Sequence, residues 1–175
     1  MVEAGRIVFV LTYMIGVIGV IPLIGLVNPV FIITFFLSVG ASAWLSQNDS
    51  KFLPRYALNI VSVAVTLFTL LRINMDNMVV PAVEALILIQ AVKFIEVDKK
   101  FRDYMQIYTL AMFMLTGSAL LKLNMSFLIY LVFLFFLISA SIVFLTYMAE
   151  KPDIRIKKDA AYKVLSRTML IPLLA

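Results

Sequence analysis

Apolar residues run through this chain in long blocks, and charge is confined to the gaps between them. From Ile7 to Asn48 there are 42 residues without a charge, about twice the ~20 needed to cross a ~30 Å hydrocarbon core. Asn28-Pro29 divides that block, because proline cannot continue the hydrogen-bond ladder. The pattern therefore predicts helix one over about Ile7–Val27 and helix two over about Pro29–Leu45. Pro22 should kink helix one, and Gly16, Gly19 and Gly25 should let a neighbour approach closely. The apolar part of helix one exceeds a signal-peptide core and no small-residue cleavage site follows, so it reads as a span.

Trp44 ends helix two where an interfacial aromatic belongs. A polar loop at Gln47–Lys51 and Pro54-Arg55 leads to helix three, Tyr56–Leu71. That helix is short for a span, so Arg55 and Arg72 must snorkel. Asn59, Ser62, Thr66 and Thr69 form a polar stripe on it that should face protein. After a turn at Asn74–Asn77, Pro81 suits the first turn of helix four, which runs to about Val97. Helix five occupies Tyr104–Leu121. Lys122-Leu123-Asn124 turns the chain into helix six, Met125–Ala149, whose aromatics form a lipid-facing or packing wall.

The fold class read from this pattern is all-α: a polytopic integral membrane bundle of six transmembrane helices over residues 1–149. A basic tail over 150–167 reads as an amphipathic helix lying on the cytoplasmic membrane surface. Residues 168–175 turn apolar again, as expected of a seventh span cut short in a fragment. With six spans, twelve Lys/Arg fall on one side of the membrane and only Arg72 and Lys122 on the other. The positive-inside rule places the amino terminus and the tail in the cytoplasm.

Composition agrees with this reading. Hydrophobic residues make up 63% and charged residues 14%, against roughly 45–50% and 25% in soluble domains. The net charge of +5 is explained by membrane topology and makes no case for nucleic acid. The sequence has no Cys and no His. That closes thiolate, imidazole and Cys-ligated metal chemistry within these residues. No catalytic, cofactor-binding or metal-ligating set is expected.

Two places carry polar chemistry. Glu84, an acid within helix four, is a candidate proton or cation site; the alternative is a place near the interface, with water or Arg72 as partner. Gln90, six residues on, should bond a Thr or Ser of a neighbouring helix. The second place is the corner after helix four, with Lys93, Glu96, Arg102 and Asp103. Lys93 and Glu96 share one helical face. The four should pair and pin the corner; otherwise they bind an anionic lipid, an ion or a cytoplasmic partner. If the helix continues, Glu96–Lys100 and Asp98–Arg102 become further pairs.

At this corner KFIE (93–96), RD (102–103) and the following YMQIYTLAMFML resemble the N-terminal membrane domain of bacterial TgpA-type transglutaminase-like proteins. Members carry a K-L-L-E-like tetrad, a short basic gap and R-D before the next span. Phe94-Ile95 replaces the usual leucines. The tail VLSRTMLIPLLA resembles the basic, proline-containing entry to the family's following span. The resemblance implies the membrane-embedded head of a longer protein of a bacterial or archaeal cell membrane. It also implies an extracytoplasmic transglutaminase-like domain after the spans, with a Cys-His-Asp triad that acts through a thioester on glutamine side chains or peptide bonds. The bundle would then be its anchor, with the lipid bilayer and that domain as partners. A small transporter or channel subunit using Glu84, Gln90 and the stripe of helix three, or a scaffold docking a cytoplasmic partner at the basic corner, are the alternatives.

Overall fold

The computed structural model describes residues 2–47, 55–72, 78–96, 99–150 and 155–156. Six α-helices make up nearly all of it: α1 Ala4–Val20, α2 Pro29–Gln47, α3 Arg55–Arg72, α4 Val79–Ile95, α5 Phe101–Leu121 and α6 Met125–Glu150. The loops predicted at 48–54 and 73–77, and the apolar end at 168–175, lie outside the described residues. Three stretches are long and apolar enough to cross a membrane: Gly5–Leu23, Phe101–Leu121 and Met125–Ala149. The apolar parts of α2 and α3, Pro29–Trp44 and Tyr56–Thr69, are shorter.

Pro22 does more than kink helix one. The α-helix stops at Val20, a 3-10 turn covers Ile21–Leu23, and Gly25 takes φ +85°. Gly25 therefore serves a left-handed turn that an L side chain resists, and not the helix contact expected of it. Asn28 then starts α2: its Oδ1 accepts the Val30 N–H at 3.1 Å, satisfying one of the donors that a helix start leaves open.

α4 lies at the centre of the bundle, packed against α2, α3 and α5, while α1 packs on α5 and α6. In hydrocarbon, close approach and dispersion replace the hydrophobic drive between helices. Gly19 meets that need: a Cβ there would stand 3.0 Å from the Cα of Ala111 on α5. Gly16 makes room for Phe94 of α4. The Phe94 ring is fully buried and meets Tyr13 and Phe35 edge-on, at 5.1 and 5.7 Å between centroids.

Hydroxyls join the helices where they are buried. Tyr108 of α5 bridges Thr12 of α1, at 3.0 Å, and Ser141 of α6. Tyr13 donates to Ser42 of α2 at 2.6 Å, and Ser42 donates to the Phe94 carbonyl.

The polar stripe of α3 is split. Thr69 is buried and Ser62 half-buried, but Asn59 and Thr66 are exposed. Ser62, Thr66 and Thr69 each donate to the carbonyl four residues back, so the hydroxyls are satisfied within the helix and need no partner helix. The wall of α6 is likewise divided, with Phe144 in the core and Phe133 and Phe135 outward.

The tail differs from the helix expected of it at its two described residues. Arg155–Ile156 is extended and pairs antiparallel with Val2–Glu3; the rest of the segment lies outside the described residues. That pairing brings the start of α1 and the chain beyond α6 to one end of the bundle. Large apolar side chains cover the outside, including Leu37 at 69% and Leu71 at 86% exposure. An apolar exterior of that kind is what a protein presents to a membrane or to another apolar surface.

Candidate functional site

The charged side chains gather at two ends of α4. At its start, Glu84 is 3% exposed, yet it reaches out of the helix to two partners. Its Oε2 accepts from the Arg72 guanidinium at 3.0 Å, and its Oε1 accepts the Asn28 N–H at 3.4 Å. Arg72 also lies near the faces of Phe31 and Phe68, about 6 Å from each centroid, within cation–π range. One carboxylate thus ties the end of α3 and the start of α2 to α4. Of the two sequence readings of Glu84, the ion pair with Arg72 is the one observed.

Gln90 is 0% exposed, and neither Nε2 nor Oε1 has a hydrogen-bond partner among the described residues. The expected Thr or Ser partner is missing because the Gln90 amide comes up against Gly16 of α1, which has no side chain to offer, beside Phe94 of its own helix. Serines and threonines of the neighbouring helices are engaged elsewhere, as Thr12 and Ser42 show.

At the other end, α4 stops at Ile95 and Glu96 turns extended, with φ −60° and ψ 119°. The helical continuation that would pair Glu96 with Lys100 therefore ends at Ile95, and Asp98, of the predicted Asp98–Arg102 pair, lies outside the described residues. Lys93 and Glu96 still meet, at 3.2 Å, with side chains 17% and 7% exposed. Asp103 does not turn to Arg102. Its carboxylate accepts the Lys100 N–H at 2.8 Å, which starts α5 at Phe101, three residues before the predicted Tyr104. A carboxylate in the first turn also complements the helix dipole.

Lys99 is the corner residue that pattern reading undervalued, counting it only as a positive charge. Its Nζ donates to the carbonyls of Phe94 and Glu96, at 2.9 and 2.7 Å. The last carbonyls of any helix lack intrahelical donors, and a lysine just beyond the end can supply one. That general rule was the available signal. Burial pushes the Lys99 amine down to about 8, against the upward pull of Glu96 and Asp103. Among the described residues the corner is thus held by a lysine cap, a carboxylate cap and the Lys93–Glu96 ion pair.

Arg102 belongs to none of these. It is exposed, and it lines a groove of about 410 Å³ between α4 and α5 together with Lys93, Gln106 and apolar side chains. The four corner residues are therefore near neighbours in the fold but do three different things.

The buried hydroxyls of Thr12, Ser42, Tyr108 and Ser141 bond one another or backbone carbonyls, and no imidazole or thiolate exists in the chain to activate them. Among the described residues no group of three or more acidic side chains is placed to hold a metal ion.

Comparison with known proteins gives one family. A family model described as TgpA N-terminal domain matches residues 11–175. No curated protein and no solved structure matches the chain.

Proposed function

The chain belongs to the TgpA N-terminal domain family, and from that membership we propose that it is the membrane anchor of a longer protein. In this reading it crosses a bacterial cell membrane six times, with its amino terminus in the cytoplasm. It orients an extracytoplasmic transglutaminase-like domain that follows it in the parent protein. The observation that carries the reading is the family match over residues 11–175, a family described as an N-terminal domain and not as a catalytic one.

Two further observations support it. A thioester mechanism needs a cysteine, and these 175 residues contain none, so acyl-transfer chemistry belongs to another part of the parent. The pairing of Val2–Glu3 with Arg155–Ile156 brings both ends of the helical unit together, as an even number of crossings requires. With twelve Lys/Arg on that side and two on the other, the paired ends are cytoplasmic. A path for ions through Glu84 finds less support, because its carboxylate is occupied by Arg72 and the Asn28 N–H.

The test is single-cysteine accessibility in intact cells, for which this chain is a ready cysteine-free background. Lys100→Cys should react with a membrane-impermeant maleimide only after the cells are opened, and Asn124→Cys should react from outside. Labelling of both positions from one side would overturn the topology and, with it, the export of the following domain.

A further inference from the structure

We propose that the groove between α4 and α5 is a binding site for one anionic phospholipid of the cytoplasmic leaflet. The inference rests on the membrane placement argued above. On α5, Arg102, Gln106 and Phe113 lie on the face that lines the groove, and on α4, Ile89 and Lys93 sit one helical turn apart opposite them. Both cations are at the mouth, because α4 ends and α5 begins there. Deeper in, the lining is Leu110 and Phe113 with Thr109, whose hydroxyl is already bonded to the Met105 carbonyl.

The dimensions suit one leaflet. Arg102 and Phe113 are eleven residues apart, or ~16 Å along a helix, against ~15 Å for half of a hydrocarbon core. A headgroup at Arg102 would therefore leave an acyl chain alongside Phe113. Phe113 is 57% exposed, so the groove is open sideways to lipid along its length.

Charge and hydrogen bonding select the headgroup. Lys93 is held by Glu96 at 3.2 Å, whereas Arg102 has no ion-pair partner among the described residues. A guanidinium at the membrane surface favours a phosphodiester with net negative charge. One turn deeper, the Gln106 Oε1 is buried without a hydrogen-bond partner. An amide can present either end after a flip, and at that depth it meets the glycerol and ester region of a phospholipid. Buried polar atoms in folded proteins usually have partners; the Gln90 amide and the Gln106 Oε1 are unpaired among the described residues, and of these two side chains only Gln106 lines the groove, where an occupant's polar group can reach its amide.

The test uses bromine quenching of a tryptophan placed in the groove. Phe113→Trp is combined with Trp44→Phe, which removes the sole native tryptophan, and the protein is reconstituted with dibrominated phosphatidylglycerol or dibrominated phosphatidylcholine. Phosphatidylglycerol should quench at about fivefold lower mole fraction, the factor expected from one basic contact. Arg102→Gln should remove that preference, Arg102→Lys should retain most of it, and Lys122→Gln, on the α5–α6 turn, should leave it unchanged. Equal quenching by the two lipids, or a preference that survives Arg102→Gln, would overturn the site while leaving the membrane placement intact. Loss of the preference in millimolar inorganic phosphate would also overturn it, showing a free-anion site. Absence of quenching by either lipid would overturn the membrane placement itself.

Discussion

Arg72 and Glu84 meet at 3.0 Å with very different surroundings, since the arginine side chain is 44% exposed and the glutamate 5%. The two substitutions should therefore cost different amounts. Arg72→Ala leaves a buried carboxylate with only the 3.4 Å contact from the Asn28 N–H, and should cost about 2–4 kcal/mol, towards the range for a broken buried pair. Glu84→Gln keeps the shape and an acceptor for that N–H, and should cost only about 1 kcal/mol. Thermal unfolding in detergent orders the two; equal losses would mean that the ion pair does not set the α3–α4 junction.

Lys99 should make stability depend on alkaline pH. Its folded value of about 8 lies below the ordinary lysine value of 10.5. Below pH 8 both folded and unfolded forms hold the proton, and the folded form bears the full cost of a buried cation. Between 8 and 10.5 the unfolded form binds more protons, so this group's contribution rises with pH, by up to about 1.4 kcal/mol per unit. Comparing the protein with Lys99→Met at pH 7.5 and 9.5 checks this. The difference in melting temperature between them should shift in favour of the parent protein at the higher pH. A constant difference would show that the amine titrates normally.

Gln90 is a polar side chain kept at 0% exposure without partners. Gln90→Met has nearly the same shape and no unmet hydrogen bonds, so it should raise stability by about 1–2 kcal/mol. A drop in melting temperature would show that the amide has an occupant or a role in the folded bundle.

Two glycines should respond in opposite directions to alanine. At Gly19 the new methyl would lie 3.0 Å from the Ala111 Cα and Cβ. Backbone cannot yield as a side-chain end can, so Gly19→Ala should cost about 1–3 kcal/mol by forcing α1 from α5. At Gly40 a methyl meets nothing within 4 Å, and Gly40→Ala should gain up to about 1 kcal/mol from helix propensity. Equal effects at the two sites would exclude close α1–α5 packing.

The helices were legible in one dimension because each apolar block is bounded by residues with a local reason to end it. Asn28-Pro29, Pro81 and Lys122–Asn124 act through their own backbone and side chains, so their neighbours in sequence suffice to read them. The Lys93–Glu96 pair was legible for the same reason, being three residues apart, as was the choice of Arg72 as one partner open to Glu84. The family could be read from a short motif around that corner.

Tertiary structure decided everything that depends on which surface faces which. Whether a buried polar side chain on a packed helix is satisfied depends on the wall opposite it. Gln90 faces Gly16 of α1 and stays unpaired, while Tyr108, no more polar, finds Thr12 and Ser141. The direction in which Lys99 turns follows from the backbone leaving α4 at Glu96. The contact of Val2–Glu3 with Arg155–Ile156 needs the whole bundle between them to be in place. Local sequence sets where a helix starts and stops through hydrogen bonds closed within a few residues. Partners from distant segments meet only after the helices have packed.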